Sequence, residues 1–138
     1  MNIDLEKIKQ RVSDIIESIE EINKLTSMDE GEFWVDKRNI ASLKYFLLQA
    51  IEALGSICVH ICAKKLNRGV SSIGECIELL QKENIISLDL FVRLKKMIGF
   101  RNRLIHRYWE IDDKKVYEYA QKDLKDLYDF INEIKKLF

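Results

Sequence analysis

The chain has 138 residues, no proline, only five glycines, and a third of its residues charged, with 23 bases balancing 23 acids. That length suits one hydrophobic core and a single domain over residues 1–138, and the scarcity of turn-forming residues points to helices and away from a strand-rich fold. No apolar run approaches the roughly 20 residues that cross a bilayer, and the start, Met1 to Glu6, is acidic and periodic where a signal peptide is basic and then apolar. A cytoplasmic protein with no membrane contact is the expectation. Three cysteines argue against a disulfide framework: Cys58 and Cys62 lie four apart in an apolar helical pattern, where free cysteine packs as a small hydrophobe.

In chain order, Leu5, Ile8, Val12, Ile15, Ile19 and Ile22 recur at spacings of three and four, which predicts an amphipathic helix over residues 2–25. Thr26–Asp36 breaks the pattern and reads as a loop. From about Phe33 to Asn67 the stripe Ile40, Leu43, Leu47, Ala50, Leu54, Ile57, Ile61 is widened by Phe46, Ile51 and Cys58, so this helix is central and buried on more than one side. Asn67-Arg68-Gly69 reads as a stop, with Gly69 in the left-handed conformation.

Ser71 or Ser72 then caps a short third helix through Cys76, Ile77 and Leu80, ending near Glu83-Asn84. Ser87 caps a fourth through Leu88, Phe91, Leu94, Met97 and Ile98, running into Arg101–Tyr108. Asp112 or Asp113 caps a fifth, with the stripe Val116, Ala120, Leu124, Leu127, Ile131, Ile134 and Phe138. Short connections between amphipathic helices predict an all-α, up-and-down antiparallel bundle of about five helices.

The balanced net charge hides an asymmetry. Residues 1–36 hold ten acids and four bases, whereas residues 90–109 hold six bases, Arg93, Lys95, Lys96, Arg101, Arg103 and Arg107, and no acid. A solvated basic helix face is the ordinary reading of such a run; a phosphate-binding surface is the functional one. The two histidines differ. His60, between Val59 and Ile61 in the long helix with no evident partner, reads as structural. His106 lies in Arg101-Asn102-Arg103-Leu104-Ile105-His106-Arg107-Tyr108, which puts an imidazole, three guanidiniums, an amide and a phenol within eight residues.

If the helix persists, Asn102 and His106 share a face one turn apart, so Asn102 can orient the imidazole. Imidazole moves protons near neutrality, and guanidinium forks onto phosphate oxygens, so the set suits cleavage of RNA through its 2′-hydroxyl without a metal. Two neutral alternatives stand beside it: a histidine capping helix carbonyls, and a Tyr108-Trp109 pair anchoring the turn into the core. Cys58, Cys62, Cys76 and His60 match no common zinc pattern, so no metal site is expected.

RxxxxHxY, filled by Arg101, His106 and Tyr108, resembles the motif of the HEPN superfamily, and of HepT-like toxins in particular. Asn102 fits the Arg-Asn that commonly opens it. The resemblance extends to Asp36-Lys37-Arg38-Asn39 with Tyr45–Ala53, to Met97–Phe100 before the motif and to Trp109–Asp112 after it, and so covers nearly the whole chain. Two places depart from the pattern: Arg68–Ser72 lacks a frequent proline, and Arg107 stands where an acid is common, making this motif more basic.

The resemblance implies a metal-independent endoribonuclease toxin that needs no cofactor and works as a homodimer with the motifs of both subunits facing one cleft. Gly99 would permit the close approach. Arg101 would stabilise the phosphorane, His106 would act as general base or acid, and Asn102 would orient. Arg93, Lys96, Arg103 and Arg107 are the expected RNA contacts. The implied partner is a small nucleotidyltransferase antitoxin that adenylylates Tyr108, placing an anion where an RNA phosphate would bind. The alternative is a non-catalytic HEPN module that binds nucleotide or RNA, or serves as the nucleotidyltransferase's partner.

Overall fold

A computed structural model describes residues 3–138 and shows seven α-helices among them: α1 (Leu5–Thr26), α2 (Glu30–Val35), α3 (Lys37–Lys64), α4 (Ile73–Lys82), α5 (Leu88–His106), α6 (Asp113–Lys122) and α7 (Lys125–Ile134). A 3₁₀ turn, Tyr108–Glu110, joins α5 to α6, and a second, Lys135–Leu137, follows α7. The all-α bundle expected from the periodicity is what forms. The Asp and Ser residues that flank the apolar stripes start the helices: Asp4, Asp29, Asp36, Ser72, Ser87 and Asp112 each accept a backbone N–H of the first turn.

α3 is the central helix. It packs along α1 over much of its length and also meets α2, α4, α5, α6 and α7. Its length and composition would suit a membrane span, but 61% of its apolar 18-residue segment is buried inside the bundle, so the apolar residues serve the core. Close packing of α4 onto α3 depends on Gly55, where a Cβ would run into the Ile73 side chain. His60, the lone histidine of the apolar pattern, is buried, and its Nε2 accepts the Asp4 N–H at 3.0 Å, fastening the start of α1 to α3. Burial, with Lys7 nearby, holds its pKa below the ordinary value.

Several expectations require correction. The Thr26–Asp36 loop contains α2, and the long helix begins at Lys37, not Phe33, because Asp36 is extended (φ −107°, ψ 111°) and its carboxylate takes the Arg38 N–H. Phe33 anchors α2 instead, fully buried with its ring 4.9 Å from Trp34 and 4.8 Å from Tyr117. At the end of α3 the left-handed residue is Asn67 (φ 54°), not Gly69; Asn84 (φ 58°) does the same after α4. The fifth predicted helix is two, α6 and α7, parted at Asp123-Leu124 where Asp126 and Leu127 N–H groups reach back only three residues. Its apolar stripe is buried as expected from Val116 to Ile134, while Phe138 is exposed.

Cys58, Cys62 and Cys76 are free and buried in one cluster between α3 and α4, with the Cys62 and Cys76 sulfurs 2.8 Å apart. Hydrogen bonding within the cluster and burial push the thiols of Cys62 and Cys76 well above the ordinary range, which keeps them protonated. No group of three metal-binding side chains occurs among the described residues.

Candidate active site at the end of α5

The helix persists through the motif and stops at His106, with Arg107 (φ −137°, ψ 41°) as the residue beyond it. Leu104 alone of residues 101–110 is buried; it ties the segment to the core while Asn102, Arg103, His106, Arg107 and Tyr108 stay exposed. The polar groups are therefore presented to solvent by a helix end that Leu104 holds to the core.

Arg101 points toward α3. Its Nε donates to Glu52 Oε1 at 2.6 Å, and one terminal nitrogen donates to Asn102 Oδ1 at 3.0 Å. The other terminal nitrogen has no protein acceptor among the described residues, so part of the guanidinium fork remains available to an anion. Asn102 lies on Arg101 and makes no hydrogen bond to His106, so the expected orienting contact is absent within one chain. Glu52 has no role in the reading of the sequence. It lies 49 residues from Arg101, and no local pattern could have paired them.

His106 shares a shallow hollow of about 270 Å³ with Asn102, Arg103 and Arg107. Arg101 opens into a different and larger groove of about 660 Å³. Five residues of helix separate Arg101 from His106 by about 140° and roughly 7.5 Å along the axis, so one copy does not aim both at one atom. His106 has no hydrogen-bonded carbonyl among the described residues, and Trp109, 79% exposed, does not anchor the turn. Neither neutral alternative describes the segment.

Tyr108 is half exposed and is held from below. Lys44 Nζ, on α3, sits 4.5 Å from its ring centroid and 2.7 Å from Asp113 Oδ1 at the start of α6. Lys44 is itself buried, so this ammonium is a fixed support. Its role too was invisible in the sequence. Of the other cations, Lys96, Arg103 and Arg107 are exposed with no carboxylate partner among the described residues. Arg93 is placed otherwise: it bonds Asp126 (2.7 Å), Asp129 (2.9 Å) and Asp89 (3.1 Å), tying α5 to α7.

A helical bundle that presents Arg, Asn, His and Tyr from one exposed helix end is the HEPN architecture. Residues 15–134 match the family model described as Ribonuclease HepT-like, and the chain belongs to that family. It is 34% identical over 89 residues to the mRNA nuclease HepT of Shewanella oneidensis, covering 64% of this chain and 67% of the relative. Its fold is similar to that of the tri-AMPylated Shewanella oneidensis HEPN toxin solved in complex with the MNT antitoxin, with TM-score 0.87, 29% identity and 99% of both chains covered. A solved toxin-antitoxin with AMP-PNP is similar at TM-score 0.85 and 28% identity, over 97% of this chain and 99% of that one.

Proposed function

We propose that residues 1–138 form a single HEPN domain that acts in the cytoplasm as the toxin of a toxin-antitoxin pair. It cuts RNA as a homodimer through Arg101 and His106 without a metal. A nucleotidyltransferase antitoxin silences it by adenylylating Tyr108. The observation that carries this reading is that the family motif is complete and its imidazole, two of its guanidiniums and its phenol all face solvent at the end of α5 and the turn that follows it.

In the reaction, His106 accepts the proton of a ribose 2′-hydroxyl while that oxygen attacks the adjacent phosphorus. The bond from phosphorus to the 5′-oxygen breaks, and the departing oxygen takes up a proton from an imidazolium, leaving a 2′,3′-cyclic phosphate and a 5′-hydroxyl. Arg101, through its unpaired terminal nitrogen, stabilises the charge that builds on the phosphorane oxygens. Glu52 and Asn102 position that guanidinium.

The divergence of Arg101 and His106 within one copy favours a site shared between two. The exposed face of α5 supplies a contact stripe: Leu88, Val92, Lys95, Gly99, Asn102 and His106 fall within about 80° of one another around the axis. A Cβ at Gly99 would meet nothing in this chain, so the chain's own packing does not require glycine there, although it costs about 1 kcal/mol inside a helix. Close approach of a second helix explains it.

Adenylylation of Tyr108 would add a bulky anion beside Arg107 and His106, competing with RNA phosphate. The AMPylated state of the Shewanella oneidensis toxin supports this reading. The deciding experiment incubates purified protein and its His106→Ala variant with total RNA in EDTA. Cleavage by the parent alone is expected. Cleavage by both would remove His106 from the mechanism, and RNA bound but cut by neither would favour the binding module.

A further inference from the structure

We infer that the groove running from Arg101 along α3 to Lys7 and Lys64 is a subsite for single-stranded RNA flanking the cut, an inference that rests on the ribonuclease reading above. The groove, about 660 Å³, is open to solvent and floored by one stripe of α3 that includes Glu52, Ser56, His60 and Lys64, at helical spacings of four. From Glu52 to Lys64 it extends about 18 Å, enough for on the order of three to five nucleotides.

Its charge is one-sided. Lys7 of α1 and Lys64 of α3 line the far end and carry no ion pair among the described residues. The sole carboxylate in the lining, Glu52, is held by Arg101 at the near end. Asp4, close by, has its carboxylate on the Lys7 N–H as helix cap. His60 offers no charge at neutral pH, being buried with Nε2 engaged and its pKa lowered by burial and by Lys7. Two unpaired ammonium groups thus face a groove whose other end is the guanidinium aimed at the scissile phosphate. The start of α4, at Ser72, lies on the rim and is already capped, with the Glu75 carboxylate of its first turn taken up by the Ser71 N–H and hydroxyl.

An RNA strand laid here would place one phosphate at Arg101 and later ones near Lys7 and Lys64, with ribose hydroxyls against Ser56. Such a track reads backbone and not sequence, as phosphate contacts do. Lys7 and Lys64 touch no reacting atom and govern affinity for long substrates alone.

The test measures binding of a labelled, unstructured RNA of about twelve nucleotides to full-length His106→Ala protein over a salt series, with K7E/K64E added or with K122E/K136E as a control of equal charge on distant exposed positions. The groove predicts roughly tenfold weaker binding for K7E/K64E, a salt slope flatter by about 1.4, and little change for the control. In the background retaining His106, K7E/K64E should raise KM for the twelve-nucleotide RNA and leave kcat on a dinucleotide unchanged. Equal losses in both charge variants, or unchanged binding by K7E/K64E, would overturn the groove and leave the ribonuclease reading standing. No RNA binding by the parent would remove both. If K7E/K64E fails to fold by circular dichroism, K7Q/K64Q removes the same two phosphate contacts and carries the same measurement, with the same flattening of about 1.4 in the slope.

Discussion

The two halves of α5 carry the same kind of residue to different ends. At Arg93 three carboxylates converge, two of them from α7, and the guanidinium becomes a clamp between helices whose pKa is held above its ordinary value by Asp126 first of all. Ten and fourteen residues on, Arg103 and Arg107 meet no carboxylate, and Arg101 meets only Glu52. A basic run in a sequence is therefore not one surface. Its members divide according to which of them the tertiary fold supplies with anions, and the unsupplied ones keep their donors open to solvent.

The largest expected effect lies at the open end. His106→Ala should lower the cleavage rate by at least about 100-fold, with an unchanged melting temperature because the side chain is exposed, as single-turnover assays and calorimetry would report. A melting temperature that fell with the activity would break the comparison. Next comes the clamp: Arg93→Ala should destabilise the fold by about 2 kcal/mol in urea titration, since Asp126 is left buried without its partner, while RNA affinity per folded molecule changes little. RNA binding lost at constant stability would instead place Arg93 among the phosphate contacts.

Glu52 sharpens the contrast, since its carboxylate steers a guanidinium without using up the fork. Glu52→Ala should lower kcat roughly tenfold with KM nearly constant, and Glu52→Gln, which keeps an acceptor for Arg101 Nε, should restore most of it. Equal defects in both variants would mean that charge, not geometry, is what Glu52 supplies. If a nucleotidyltransferase adenylylates Tyr108 as proposed, Lys44→Met should slow that modification a few-fold, read by mass spectrometry, by freeing the ring from its support.

The smallest effect concerns the other histidine. The folded state binds fewer protons at His60 than the unfolded chain, whose imidazole has the ordinary value of 6.5. His60 thus contributes stability that is full above about pH 6.5 and is lost as pH falls through the lowered folded value, where protonation breaks the bond from Asp4. His60→Gln should flatten the stability curve on the acid side; an unchanged curve would assign that slope to carboxylates.

The apolar stripes of α1, α3 and α5 were legible because a period near 3.6 with Asp or Ser before it has one low-energy solution. Breaks made without proline or glycine, at Asp36 and at Asp123-Leu124, left no such mark, because side-chain capping and i→i+3 bonding decide them. Likewise the motif Arg101–Tyr108 was readable in eight consecutive residues and its family in that motif together with its flanks and Asp36–Ala53, and the burial of His60 and the cysteines followed from their apolar neighbours. The sequence by itself thus determined the helices, the core and the chemical groups on offer. The tertiary structure alone decided which groups act together: Glu52 with Arg101, Lys44 with Tyr108, Arg93 with α7, and Arg101 on a different face from His106. Those pairings join residues 33 to 64 positions apart or depend on the rotation of a helix against its neighbours, and a linear pattern carries no record of contacts made only when distant helices pack.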